Sequence, residues 1–312
     1  MTLAYLFPGQ GSQRPGMLHA LPDHPQARAT LQEASDILHQ DAYGLDEAQA
    51  LESTIATQVG IYIAGVAAAR SLIAESREPD AVAGLSVGAY SAATVSGALE
   101  FEDGLRLVRT RAELTEAAFP SGYGLSAIVG LDEQQVLRLV AECSTPDQPV
   151  FVGNINAPLQ IVVAGAIEGM DRVLELARQG GAKKAERLAV RIPSHCPLFE
   201  AVALRLTEEM KDLPPRRPRA QYVTNRRARP TRVFDRIRED IATNIAHPVR
   251  WYDSTQVLVE MGTRLFVELH PGHVLTGLAG EAFPTVRSLA LAESSLDSVI
   301  KLIGNMPKME DG

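Results

Sequence analysis

The chain has 312 residues, 46% hydrophobic and 22% charged, with a formal charge of −8. That length and composition suit one large domain or two smaller ones and exclude a largely disordered chain, while the negative balance argues against a nucleic-acid binder. Two cysteines, Cys143 and Cys196, are too few for a metal cluster or a disulfide framework, so a reducing compartment is expected.

From the N-terminus, Met1 to Phe7 lacks the basic n-region of a signal peptide, and no apolar run in the chain is expected to reach the ~20 residues of a membrane span. Cytoplasmic placement, without membrane or nucleic-acid partners, is the expectation. Leu3 to Phe7 reads as a buried strand stopped by Pro8-Gly9, and Ile61 to Ile73 as an apolar helix. Ala81 to Gly84 is a short strand leading into Ser86, with a helix through Thr94. Phe101 to Ala118 is an amphipathic helix. The rhythm then changes: strand Leu125–Val129, helix Asp132–Cys143, strands Val150–Asn156 and Gln160–Gly165, helix Glu168–Gln179, strand Lys184–Ile192. This β-α-β-β-α-β order is the split unit of ferredoxin-like domains. Strands at Gln221–Thr224 and Leu265–Leu269, with helices around them, resume the earlier pattern. The expected architecture is α/β: a mainly parallel, helix-covered, hydrolase-like sheet from residues 1–121 and 193–312, with a ferredoxin-like insert at 122–192. Disorder is expected only in the tail, Met306 to Gly312.

Four features carry chemistry. Gly84-Leu85-Ser86-Val87-Gly88 is a Gly-x-Ser-x-Gly between a strand and a helix, where a tight turn pushes a serine Oγ out at a helix N-terminus. A packing turn with a capping serine is the bland alternative. Phe7-Pro8-Gly9-Gln10-Gly11-Ser12-Gln13 follows the first strand. It lacks the spacing of a dinucleotide or phosphate loop, and suits a backbone oxyanion donor as well as a simple tight turn. Arg111 shares an apolar helix face with Leu107, Leu114 and Ala118, while Arg106 and Arg109 are in register with Glu102 and Glu113. A buried guanidinium needs an anion, either a structural carboxylate or a substrate's. For a base, His195 in Pro193-Ser194-His195-Cys196-Pro197 and His270 in Leu269-His270-Pro271 are both open, while His19, His24 and His39 read as surface residues.

Over nearly its whole length the sequence resembles the malonyl-CoA:acyl-carrier-protein transacylase family. The segments that carry the resemblance are Phe7–Gln13, Gly84–Gly88, Arg111, Ile192–His195, Pro248-Val249-Arg250-Trp251 and Pro271-Gly272-His273-Val274-Leu275. The resemblance implies Ser86 as nucleophile, His195 as its base, Gln10 and Val87 as backbone oxyanion donors and Arg111 as the clamp on a malonyl carboxylate. It implies that the backbone carbonyl of Arg250 orients His195. It also implies malonyl-CoA as donor, a carrier-protein thiol as acceptor, and no metal or permanently bound cofactor. The family usually has His where this chain has Leu85 and Glu where it has Ala89, which bears on a polar contact near the acyl pocket. The variant Gly-Leu-Ser-Val-Gly-Ala-Tyr resembles the epsilon subunit of malonate decarboxylase. The leading expectation is therefore transfer to the malonate decarboxylase carrier subunit, with a fatty-acid or polyketide transacylase second. A serine hydrolase and a non-catalytic carrier-docking subunit are the alternatives of other classes. Arg216, Arg217, Arg219, Arg226, Arg227, Arg229 and Arg232 form an arginine-rich stretch that reads as a solvated loop or as a docking face for an acidic partner.

Overall fold

The computed structural model describes residues 3–119 and 121–306. In chain order the first elements are β1 (Leu3–Phe7), α1 (Pro25–Leu38), α2 (Thr54–Glu75), β2 (Ala81–Gly84), α3 (Gly88–Ser96) and α4 (Phe101–Ala118). Next come β3 (Tyr123–Val129), α5 (Glu133–Cys143), β4 (Val150–Ala157), β5 (Gln160–Ala166), α6 (Ile167–Gln179) and β6 (Lys184–Arg187). The chain continues through α7 (Glu200–Glu209), β7 (Gln221–Val223), β8 (Pro230–Thr231), α8 (Phe234–Thr243) and α9 (Trp251–Glu260). It closes with β9 (Leu265–Glu268), α10 (Val274–Ala282), β10 (Arg287–Ala290) and α11 (Leu296–Gly304).

The result is an α/β fold with a mixed sheet covered by helices. Its six strands run β10-β9-β1-β2-β7-β8, parallel except where β8 turns back on β7. Every residue of β1 is buried, because both faces of this central strand are covered, which explains its unbroken apolar run. Leu3, Tyr5 and Phe7 pack with α2 and its neighbours, whereas Ala4 and Leu6 pack with Trp251, Phe266 and Leu275.

A second, four-stranded antiparallel sheet has the order β4-β5-β3-β6. One face packs on α5 and α6 through Ile128, Val136, Ile161 and Val173. The second sheet is tied to the segment before α9 by two hydrogen bonds: Ile155 N donates to the Val249 carbonyl and Val249 N to the Gly153 carbonyl, both 2.8 Å.

The expected strand Lys184–Ile192 stops at Arg187. The apolar alternation continues through Leu188, Val190 and Ile192, but these side chains line a cleft instead of pairing, and Pro193 has no N–H to offer a ladder. Helix α2 begins at Thr54, seven residues before its expected start, capped by the Ser53 side chain. Its length and hydropathy are those of a membrane-crossing helix, correcting the expectation that no apolar run reaches that length; it is instead packed among α1, α3 and α4. Of the tail expected to be disordered, residues 307–312 lie outside the described residues.

Phe266 is fully buried beside Trp251, the single tryptophan. Phe266→Ala should lower stability by ~3–5 kcal/mol, with the denaturant slope unchanged. Urea unfolding followed by Trp251 fluorescence measures this, and a change within ~1 kcal/mol would show that this side of the sheet is not closely packed.

Candidate active site

The parallel pairing of β1 with β2 sets Phe7 opposite Gly84, so the turns after both strands leave the sheet side by side. They approach too closely for side chains. A Cβ on Gly84 would overlap the Gly88 carbonyl, one on Gly88 would overlap the carbonyls of Phe7 and Pro8, and one on Gly9 would meet the carbonyl of Leu85. Between the glycines Ser86 takes a left-handed φ of +58°, strained for a residue with a Cβ. Its Oγ stands just before the first turn of α3.

His195 reaches Ser86 from the loop after the second sheet. Its Nε2 is 2.7 Å from Ser86 Oγ and its Nδ1 2.8 Å from the Asn244 carbonyl. A carbonyl can only accept, so Nδ1 carries the proton and Nε2 accepts from the serine hydroxyl. The backbone is pinned as well: His195 N donates to the Ile245 carbonyl at 2.7 Å, and His195 has a φ of +69°. Burial, then the positive charge of Arg111, lowers the imidazole pKa to about 4, against the pull of the Asn244 and His247 backbone. At neutral pH the ring is an uncharged acceptor.

Arg111 from α4 is 1% exposed. Its guanidinium donates to Gln58 Oε1 at 2.5 Å and to Ser86 Oγ at 3.1 Å, while its Nε has no partner. Among the described residues no carboxylate pairs with it. Burial lowers its pKa. By contrast Arg106 and Arg109 pair with Glu102 and Glu113 on the exposed face of the same helix. Of the two anions open to Arg111 in the sequence, the structural one is not found among the described residues.

Gln58 also reaches toward Gln10, Nε2 to Oε1 at 3.4 Å. The backbone amides of Gln10 and Val87 have no hydrogen-bond acceptor among the described residues, and both belong to the two abutting turns. Gln10, Gln58, Ser86, Arg111, Asn154 and His195 line a small cavity of about 50 Å³. It adjoins a larger one of about 390 Å³, floored by the glycine loop and walled by the second sheet and α10.

One sequence expectation is corrected. The Arg250 carbonyl does not orient His195. It begins the ladder of α9 by accepting from Ser254 N at 3.0 Å and Ser254 Oγ at 2.9 Å, while its side chain pairs with Glu133 and Asp253. Asn244, in the single turn after α8, takes that part. His270 is removed from the site: its ring bonds the Ala20 carbonyl at 3.2 Å. The arginine-rich stretch divides. Arg216 and Arg219 pair with Glu100 and Glu78, whereas Arg226, Arg227 and Arg229 join Arg236 around a cavity of about 280 Å³.

Residues 4–309 match the acyl transferase domain family. The chain belongs to that family. It is 34% identical to the malonyl CoA-acyl carrier protein transacylase of Escherichia coli (strain K12), covering 94% of this chain and 96% of that one. It is 31% identical to the Bacillus subtilis (strain 168) protein of the same name, covering 93% of each. Two solved structures are similar over almost their full length. The malonyl CoA-acyl carrier protein transacylase of Coxiella burnetii superposes with a TM-score of 0.93 at 31% identity, covering 99% of this chain and 98% of that one. A type II polyketide synthase malonyl-transacylase, in complex with its acyl-carrier protein, gives 0.92 at 33% identity, covering 97% and 100%.

The geometry of this acyltransferase yields a direct test. His195→Ala should slow acylation of Ser86 by a thioester donor ~10²–10⁴-fold, the usual size of acid–base help. His270→Ala should leave it nearly unchanged. Intact-mass kinetics measure both, and a larger effect at His270 would remove His195 from the role of base.

Proposed function

We propose that the chain is a malonyl-CoA:acyl-carrier-protein transacylase of the kind that serves fatty-acid or polyketide synthesis. The observation that carries the reading is Arg111, a buried cation with no anion among the described residues, set within reach of a serine that is hydrogen-bonded to a neutral histidine. Such a group asks for an acyl chain ending in a carboxylate. The names of the similar proteins support the same donor and acceptor.

In the first half-reaction the Ser86 proton passes to His195 Nε2 as Oγ bonds the thioester carbonyl carbon. The amides of Gln10 and Val87 stabilise the oxyanion. The carbon–sulfur bond breaks, coenzyme A takes the proton from His195 and leaves as thiol, and malonyl-Ser86 remains. In the second, the carrier thiol gives its proton to His195 and its sulfur attacks the ester. Ser86 Oγ leaves and recovers the proton. The same reading takes residues 1–121 and 193–312 as a hydrolase-like domain. It takes 122–192 as a ferredoxin-like insert, supported by the β4-β5-β3-β6 order with two helices on one face. A cytoplasmic setting belongs to it too, supported by two buried free cysteines.

A second reading, the malonate decarboxylase epsilon subunit, rests on Leu85 and Ala89 in the nucleophile turn. It has less support, since the relatives described above are named for acyl-carrier-protein transfer. Offering both carriers to the malonylated protein separates the two, and a clear preference for the decarboxylase carrier would favour the second.

Truncating a buried charge-assisted contact typically costs ~2–5 kcal/mol. Arg111→Ala should therefore lose most malonyl transfer while keeping acetyl transfer. An equal loss of both would make Arg111 structural and overturn the proposal. Arg226, Arg227 and Arg229 are exposed and unpaired among the described residues, and suit an acidic carrier. Reversing all three to Glu should raise the carrier KM and flatten its salt dependence, with Ser86 acylation changed less. Unaltered carrier kinetics would mark the patch as a solvated surface.

A further inference from the structure

Behind the nucleophile lies a buried polar chain that the transfer chemistry does not use. Asn225, in the turn after β7, grips the Ser86 turn on both sides of Leu85. Its Oδ1 accepts from Ser86 N at 3.0 Å and its Nδ2 donates to the Gly84 carbonyl at 2.9 Å. Asn225 is itself anchored, because its own N–H donates to Asp240 Oδ2 at 2.9 Å and its carbonyl accepts from Arg250 N at 2.9 Å. The buried Asp240 carboxylate accepts two further bonds, from Tyr222 OH at 2.7 Å and Arg226 N at 3.3 Å.

A left-handed serine persists only where its surroundings over-determine it. The two bonds from Asn225 do this without entering the cleft, one holding the strained residue's own amide and the other the carbonyl that precedes Leu85. We propose that Asp240, acting through Asn225, is a positioning group that keeps the Ser86 turn in its reactive shape and releases it when the carboxylate takes a proton. This rests on the reading of Ser86 as nucleophile.

The chemistry of the carboxylate supplies the switch. Ionised, it is an acceptor only, and all three groups aimed at it are donors. A proton on Oδ1 faces the Arg226 N–H, which can only donate, so that bond is lost; a proton on Oδ2 can pass only to the Tyr222 hydroxyl, which then accepts, and it makes that oxygen a poorer acceptor for Asn225 N. Burial raises the Asp240 pKa to about 6, opposed by its hydrogen bonds to Asn225, Tyr222 and Arg226. The groups around it are Tyr222 from β7 and Tyr90 from α3, whose hydroxyl donates to the Ile241 carbonyl. Arg226, Arg227 and Arg229 from the turn, with Arg236 and Glu239 from α8, line the adjoining cavity. Above about 6 the grip is complete; as pH falls through that value it loosens. His195 in the empty site stays neutral down to about 4, so it produces no loss near 6.

A neutral fluorophosphonate that esterifies Ser86 reports the free enzyme without a titrating substrate. The wild-type labelling rate should fall as pH drops through about 6. Tyr222→Phe removes a bond that holds the carboxyl down, so it should move this limb to higher pH. A fold-supporting bond alone gives no reason for such a shift. Asn225→Ala and Asp240→Asn should label ~10²-fold more slowly at neutral pH, as expected for a displaced reacting group, and Asp240→Asn should lose the limb. Thermal unfolding identifies any variant that has not folded, and Tyr222→Phe then carries the test by itself. A limb that stays in place in Tyr222→Phe, or folded Asp240→Asn labelling at the wild-type rate, would overturn the proposal. Absence of label at Ser86 in the wild type would instead overturn the nucleophile reading, and this inference with it.

Discussion

The site depends on a backbone constraint: two turns leave the same edge of a parallel sheet with no room for side chains between them. The pairing of Phe7 with Gly84 brings the turns together, and Gly9, Gly84 and Gly88 let them touch. Leu85 N donates to the Phe7 carbonyl at 2.9 Å, locking one turn to the other. From that single approach follow the strained Ser86, the amide of Val87 left without an acceptor among the described residues at a helix start, and the amide of Gln10, likewise left without one, in the abutting turn. The energy stored in the left-handed serine is of the order of 1–3 kcal/mol, small against a buried sheet but large enough to need the surrounding bonds.

Within that frame the electrostatics are set by one charge. Arg111 lies against both members of the Ser86–His195 pair, donating to the hydroxyl and disfavouring the imidazolium. With the site empty, the histidine is therefore a weak base and the serine a hydroxyl already engaged as an acceptor. A carboxylate placed on Arg111 changes both conditions together. It draws the guanidinium donors to itself, and it offsets the positive charge that adds to burial in lowering the histidine. On the proposed function, discrimination between a carboxylated acyl group and a plain one would thus be expressed in the reactivity of the pair as well as in binding, where it acts on the chemical step.

The sequence made the strand–turn–helix around Ser86 legible, because glycine spacing and an apolar strand report directly on backbone geometry. Arg111 was legible for a similar reason: a cation on an apolar stripe is anomalous wherever it is found. Periodicity could not choose between His195 and His270, since both sit in loops beside prolines and only the tertiary path brings one to Ser86. The exchange of Arg250 for Asn244 has the same origin. A role played by a carbonyl leaves no mark in side-chain identity, so it was carried to the residue matched by the Pro-Val-Arg-Trp segment, whose carbonyl a helix had already engaged. Asn225 and Gln58 were not singled out, because a lone amide side chain has no spacing signature. Gln58 is the nearer miss, a polar residue in what proved to be the buried first half of α2.

The misplaced end of β6 shows how the cleft comes to be walled on both sides. Leu188 still donates its N–H to the Leu125 carbonyl, and Val190 and Ile192 keep the alternation of a strand beyond it; with Leu125, Ala127 and Val162 from the sheet the three form an apolar wall. Asn154 and Asn156 interrupt that wall with amides, and the Asn156 Oδ1 is buried with no partner. An apolar channel with sparse amide groups suits an extended arm that is itself mostly methylene and amide. In a two-step transfer the donor and the acceptor enter in turn, each presenting sulfur to the same serine. On the proposed function, a single channel that reads only the arm would admit both, and the parts that differ, a nucleotide or a folded carrier, would remain outside it. On the same proposal, selectivity for the acyl group would fall to Arg111 and to the residues beside it, Leu85 among them, and selectivity for the partner to the surface around the mouth.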